Sequence, residues 1–164
     1  MQILITGAAG FIGFNFSKFL LEKTNYKIIG VDNLNNYYSV NVKKNRLKLL
    51  NKHRNFKFIK VDITNKNKLR KVFKKKINMV FHFAAQAGVR YSLENPRAYI
   101  ESNTLGFFNV IDLSIKSKIK KILYASSSSV YGDSKNFPLN ERHPINPKNI
   151  YGLTKKNNEE ICEL

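Results

Sequence analysis

The chain has 164 residues, 43% of them hydrophobic and 12% aromatic, enough for one domain with a buried core. Its single cysteine, Cys162, excludes an internal disulfide and any metal site built on paired cysteines, and points to a reducing, cytoplasmic setting; no metal is expected. The net charge of +18 raises nucleic acid as a partner, but the lysines are spread along the chain among asparagines and isoleucines, as compositional bias and solvated helix faces produce, so nucleic-acid binding is not expected.

In chain order, the opening MQILITGAAG carries an apolar run of a few residues that passes directly into glycines, too short for a signal-peptide core or a membrane span, so no membrane partner is expected. Apolar runs at 3–5, 26–31, 56–61, 79–83 and 122–125 predict five strands. Between them, 11–23, 39–52, 65–76 and 96–117 return apolar residues at three- and four-residue steps, as helix faces do. A further helix is predicted from about Asn149. Pro138, Pro144 and Pro147 predict an irregular stretch from Ser126 to Asn146. Strands alternating with helices give an α/β fold, a doubly wound parallel sheet of Rossmann type whose ligands sit at the carboxyl ends of the strands.

Gly7, Gly10 and Gly13 follow the first strand and open the first helix. Glycines at this spacing allow a tight turn, a close approach of backbone N–H groups to a pyrophosphate, and close packing of helix on sheet. The second strand ends in Asp32, roughly 20 residues on, where a carboxylate can bind an adenosine ribose and repel a 2′-phosphate. The alternative is a solvated strand-end residue. The NLNN that follows Asp32 holds no arginine, which favours NAD over NADP. Asp62 ends the third strand within reach of an adenine, and Ala84, Ala85 and Gly88 follow the fourth with small side chains that let a cofactor lie against backbone. His82, with no His or carboxylate at ligand spacing, reads as a buried structural histidine.

Tyr151 and Lys155 stand four apart on the last predicted helix, on one face, and four serines, Ser126 to Ser129, leave the fifth strand. A phenol with a free pKa near ~10 is a poor base at neutral pH, but a neighbouring ammonium favours the phenolate. A serine hydroxyl can hold the substrate oxygen. Such a trio suits removal of a hydroxyl proton as hydride leaves the same carbon for a nicotinamide.

Together TGAAGFIG, Asp32, HFAAQAGVRYSLENP, SNTLGFFNVID, YASSSSVYG and YGLTKK make the chain resemble the extended short-chain dehydrogenases/reductases, specifically the NAD-dependent epimerase/dehydratase family, with AAQAGVRYSLENPRAYIESN most similar to UDP-glucuronate 4-epimerases. The resemblance covers essentially the whole chain. It implies an isomerase that takes UDP-glucuronate to UDP-galacturonate through a transient 4-keto intermediate, with bound NAD. Tyr151 is then the general base and acid, Lys155 lowers its pKa and holds the nicotinamide ribose, and Ser127 is the catalytic serine. The cofactor positions implied are Phe11 and Ile12 at the pyrophosphate, Asp32 and Asn33 at the ribose, Asp62 and Ile63 at the adenine, and Phe83, Ala84, Ala85 and Gln86 along the dinucleotide, with Asn103 bracing the site. Ser128 and Ser129 stand where related dehydratases carry an acidic pair, which disfavours dehydration and suits a C6 carboxylate. Arg90 is either a substrate anion contact or a partner of Glu94.

Members of that family continue past this point with further strands and a carboxyl-terminal substrate domain, and pair as homodimers. The expectation is therefore that residues 1–164 are a partial, amino-terminal NAD-binding domain, that the UDP-sugar grip is absent, that the fifth strand has an open apolar edge, and that the fragment alone is inactive. The alternatives are a UDP-glucose/galactose 4-epimerase and a non-catalytic NAD-binding remnant.

Overall fold

The computed structural model describes residues 1–164, in two compact units. The first, 1–84 with 109–124, contains the whole sheet: β1 (Gln2–Thr6), β2 (Lys27–Asp32), β3 (Phe56–Lys60), β4 (Met79–His82) and β5 (Ile122–Tyr124), all parallel, in the order β3-β2-β1-β4-β5. The sheet is parallel and of Rossmann type as predicted, and its order reverses direction between β1 and β4 and opens a crevice at their carboxyl ends.

Alternation along the strands builds two cores. Ile3, Ile5 and Ile28 face one way and pack with Leu20 of helix α1 (Phe11–Lys23) and Leu47 and Leu50 of α2 (Val40–Leu50). Leu4, Ile29, Val31 and Val80 face the other way and pack with Leu69, Val72 and Phe73 of α3 (Lys66–Phe73) and Val110 and Leu113 farther along the chain. Both faces of β1 are covered, which is why it reads as a continuous apolar run. At the β5 edge Leu123 is 48% exposed.

The second unit, 85–108 with 125–164, departs from expectation at two places. The single helix predicted over 96–117 is divided into α5 (Pro96–Tyr99), a π-helix (Ile100–Gly106) and α6 (Phe107–Lys116), whose later turns belong to the first unit, and it is preceded by a short helix that was not predicted, α4 (Tyr91–Glu94). Asn95 separates α4 from α5 and caps the latter, its Oδ1 accepting from Ala98 N at 3.3 Å, with Pro96 in the first turn where its missing N–H is harmless. The stretch predicted as irregular contains a 3-10 turn (Ser128–Tyr131), capped by Ser127. The last helix, α7 (Ile150–Glu163), begins where predicted, with Asn149 Oδ1 accepting from Gly152 N at 2.8 Å.

Candidate active site

In the first unit the glycine turn has the geometry that its spacing implies. Gly7 has φ +71°, and a Cβ there would lie 2.7 Å from Ala84 N. A Cβ on Gly13 would collide with the Gly7 carbonyl oxygen, so α1 packs on the turn only because that side chain is absent. Gly10 caps α1 without a side-chain hydrogen bond, leaving the first-turn N–H groups directed outward beside the exposed Phe11 and Ile12.

Asp32 is 7% exposed at the end of β2, next to the turn. Its Oδ2 accepts from Ala9 N at 3.2 Å and its Oδ1 from Leu34 N at 2.8 Å, so two backbone donors fix the carboxylate. It is therefore not a solvated strand-end residue. Asn33 Nδ2 donates to Asp62 Oδ2 at 2.9 Å, tying the ends of β2 and β3 together. Burial pushes the Asp62 carboxyl up, but hydrogen bonds from Asn33 and Thr64 outweigh it and leave the pKa below the usual carboxylate range. Ile63 is buried beside it, and Asn109 Nδ2 holds the Ile63 and Thr64 carbonyls at 3.0 and 3.2 Å. Phe83 and Ala84 continue from β4 against the glycine turn, with Ala84 N donating to Thr6 Oγ1 at 3.2 Å. His82 is buried and bonded to Thr6 Oγ1 at 2.7 Å, a structural role as expected.

Two cations that are distant from Asp32 in sequence come near it and the glycine turn from α2. Lys43 Nζ lies 3.9 Å from Asp32 Oδ1, and Arg46 Nη1 donates to the Ala9 carbonyl at 3.2 Å and to Tyr38 Oη at 2.9 Å. Burial lowers the Lys43 pKa; Asp32 pulls it back up and Arg46 adds to the lowering.

The second unit gathers the remaining candidates. Lys155 is 4% exposed, and its ammonium donates to the Ala125 carbonyl at 2.8 Å with no carboxylate paired to it. Burial lowers its pKa to about 8. Tyr151, one turn earlier on α7, is half-buried, with the Tyr99 ring set edge-on at 6.0 Å. Gly152 brings α7 onto the serine turn, since a Cβ there would stand 2.5 Å from the Ser129 carbonyl oxygen. Ser127 Oγ accepts from Ser129 N at 3.2 Å, and Ser128 is exposed. Ser126 hydrogen-bonds Glu159 of α7.

Asn103, in the π-helix and 1% exposed, grips the backbone of Gln86 on both sides: its Oδ1 accepts from Gln86 N at 2.7 Å and its Nδ2 donates to Gln86 O at 3.0 Å. The same Nδ2 reaches Thr154 Oγ1 at 3.2 Å, so one amide links the segment Ala85–Gln86 to α7. Arg90 is exposed and makes no ion pair with Glu94, which removes that alternative.

Comparison with known proteins finds similarity along almost the whole chain. A family model described as GDP-mannose 4,6 dehydratase matches residues 4–164. Protein CapI of Staphylococcus aureus is 49% identical over 161 residues, 97% of this chain and 48% of the relative. The UDP-glucuronate 4-epimerase of Thermodesulfobacterium geofontis is 46% identical over 160 residues, 95% of this chain and 48% of the relative. Among solved structures, UDP-glucuronic acid 4-epimerase from Bacillus cereus in complex with UDP-glucuronic acid and NAD matches with a TM-score of 0.92 at 32% identity, over 99% of this chain and 51% of that one. The UDP-Glc/GlcNAc 4-epimerase of Campylobacter jejuni matches with a TM-score of 0.88 at 32% identity, over 99% and 48%. The chain thus spans about half the length of the relatives it matches.

Proposed function

The chain belongs to the GDP-mannose 4,6 dehydratase family, within the NAD-dependent epimerases and dehydratases, and from that premise we propose that it serves the C4 epimerisation of a nucleotide sugar, taking UDP-glucuronate to UDP-galacturonate with NAD. The observation that carries the proposal is Lys155, an ammonium buried without a carboxylate one helical turn from Tyr151. Holding a lysine there costs stability, and an ammonium so placed is useful to a phenol that must give up and regain a proton.

The residues of the first unit fit NAD. The outward first-turn N–H groups at Phe11 and Ile12 suit a pyrophosphate, Asp32 and Asn33 an adenosine ribose, Asp62 and Ile63 an adenine, and the turn formed by Gly7, Gly10 and Gly13 leaves no side chain in the way. When bound, NAD would supply the hydride acceptor for the sugar carbon and the donor for its return. Tyr151 accepts the C4 hydroxyl proton and later gives it back. Lys155 stabilises the phenolate and binds the nicotinamide ribose. Ser127 donates to the C4 oxygen. Phe83, Ala84, Ala85 and Gln86 line the dinucleotide, with Asn103 fixing Gln86.

Ser128 and Ser129 favour epimerisation over dehydration, because a hydroxyl cannot protonate a leaving hydroxyl and abstract a carbon-bound proton as an acidic pair does. They are suited to donate to a C6 carboxylate, and the exposed Arg90 to meet a substrate anion, which favours a uronic acid over UDP-glucose or UDP-galactose. In the same proposal residues 1–164 form the NAD-binding portion, and the nucleotide sugar is gripped by the additional length that the relatives possess. Homodimer formation is included, supported by Ile100, Leu105 and Phe108, each nearly half exposed. So is a cytoplasmic location, supported by the single cysteine, which allows no internal disulfide. No helix is long and apolar enough to cross a membrane.

The test has two stages. Calorimetry of the chain with NAD gives stoichiometric binding; a folded chain that fails to bind refutes the dinucleotide reading and leaves a non-catalytic remnant. The chain alone does not turn over UDP-glucuronate, whereas a fusion to the remaining segment of a UDP-glucuronate 4-epimerase does, followed by proton NMR of the sugar. In that fusion Tyr151→Phe lowers turnover at least ~100-fold with NAD still bound. Turnover that survives the substitution removes Tyr151 from the chemistry.

A further inference from the structure

The face of α7 that carries Tyr151 and Lys155 continues at the same four-residue step to Glu159. Towards the carboxyl-terminal end of a helix a carboxylate gains nothing from the helix dipole. Nor does Glu159 serve an ion pair. On a chain with 29 Lys and Arg it pairs with none, whereas its neighbour Glu160 takes Lys156 at 3.4 Å. Its partner is a hydroxyl: Ser126 Oγ donates to Glu159 Oε1.

That bond falls directly beside another. Lys155 Nζ donates to the Ala125 carbonyl at 2.8 Å, so two side chains one turn apart on α7 grip two consecutive residues where the chain leaves β5, one by its backbone and the next by its side chain. The residue that follows is Ser127, whose Oγ accepts from Ser129 N at 3.2 Å and whose carbonyl accepts from Val130 N at 3.1 Å. A single bond to the Ala125 carbonyl leaves the chain free to swivel about the backbone torsions after it. A second anchor one residue on removes that freedom at the position next to Ser127. The anchor works as an acceptor rather than as a charge on Lys155: burial is the cause of the low Lys155 pKa, and the Glu159 carboxylate, turned to Ser126, does not offset it.

Building on the reading of Ser127 as the donor to the C4 oxygen, we propose that Glu159 is a positioning residue for the reaction, which by holding Ser126 sets the place of the Ser127 hydroxyl relative to Tyr151 on the same helix. Glu159 touches neither sugar nor cofactor in this role. A displacement of ~1 Å from the productive geometry is enough to cost up to ~100-fold in rate. Because the action is through a hydrogen bond, a neutral acceptor of the same shape can replace the carboxylate.

Two measurements test this. In the chain itself, hydrogen exchange at the Ser129 amide, which Ser127 Oγ accepts, is compared among the unaltered protein, Glu159→Leu, Glu159→Gln and Ser126→Ala. Glu159→Leu and Ser126→Ala accelerate it at least ~10-fold, as loss of a charge-assisted hydrogen bond implies; Glu159→Gln leaves it nearly unchanged, and the Leu4 amide in the sheet exchanges as before in all of them. In the epimerase fusion, Glu159→Leu and Ser126→Ala lower kcat by ~10- to ~100-fold with little change in KM, Glu159→Gln recovers most of the rate, and Glu159→Leu has no further effect once Ser127→Ala is present. Ser126→Ala removes only an exposed hydroxyl and carries the test should Glu159→Leu fold poorly. Three results overturn the proposal: Ser129 protection and kcat untouched by Ser126→Ala and Glu159→Leu, Glu159→Gln as damaging as Glu159→Leu, or effects of Glu159→Leu and Ser127→Ala that multiply. If Ser127→Ala alone leaves turnover unchanged, the reading of Ser127 falls first and this role with it.

Discussion

Replacing Lys155 by methionine should make the protein more stable at neutral pH while weakening its hold on NAD. The folded chain depresses the Lys155 pKa from 10.5 to about 8, because burial penalises the ammonium. A folded-state pKa below the unfolded one means that the folded chain binds fewer protons at this group between pH 8 and 10.5. Stability attributable to the group therefore rises with pH across that window, and below it the full cost is present. At ~1.4 kcal/mol per pH unit the cost is ~3 kcal/mol. The bond to the Ala125 carbonyl favours the charged form and is lost on substitution, worth ~1–2 kcal/mol, so a net gain of ~1–2 kcal/mol remains for Lys155→Met, whose side chain fills a similar space. Urea unfolding of both proteins at several pH values from about 7 to about 10 checks this. Subtracting the two curves cancels every other titrating group. The difference should favour the variant at neutral pH and fall steadily as the pH rises and the cost of burying the ammonium is relieved. A difference that stays flat, or a variant less stable at pH 7, would show that Lys155 is an ordinary structural lysine and would refute the reasoning.

Gly13→Ala places a Cβ against the Gly7 carbonyl, backbone that cannot yield without moving α1, and should cost ~3 kcal/mol or more together with NAD binding; thermal melting and NAD titration measure both. Asn103→Leu strips the Gln86 N–H and C=O of their partner in a buried setting, a loss of ~2–4 kcal/mol, and hydrogen exchange at the Gln86 amide should accelerate, whereas unchanged protection would show that another group holds that segment. Asn33→Ala removes a bond that holds the Asp62 pKa down, so an NMR titration should find that pKa closer to 3.8. Because the folded-state pKa is the depressed one, the stability Asp62 contributes is present above 3.8 and lost as pH falls through the folded value; in Asn33→Ala that acid-sensitive contribution should be smaller.

The strands and the glycine turn were legible because their causes are local. Both faces of β1 are covered, so its residues had to be apolar in sequence, and Gly7 and Gly13 are glycines because backbone passes where a Cβ would sit. The break of the long helix was not legible. A three- and four-residue apolar repeat continues across 96–117 whether the turns are α or π, and the wider turn that contains Asn103 is associated with a contact to Gln86, 17 residues away. Lys43 and Arg46 were not legible for a related reason: neither adjoins Asp32 in sequence, and α2 brings both near the end of β2 and the glycine turn through space.

Ser127 shows how a residue can carry two readings without conflict. The family resemblance assigns its hydroxyl to substrate chemistry, while the structure has the same oxygen accept the Ser129 N–H and cap the 3-10 turn. A hydroxyl has two lone pairs and one proton, and accepting the backbone bond leaves the proton to donate. Capping also fixes the side-chain oxygen relative to a turn that Gly152 lets α7 approach closely. The cap therefore directs the free O–H rather than consuming it, and Ser127→Ala should loosen the turn and remove the donor together. Ser127→Thr keeps both the acceptor and the proton, so recovery by threonine of the turn and of turnover in the fusion, but not by alanine, is the outcome that this dual role requires.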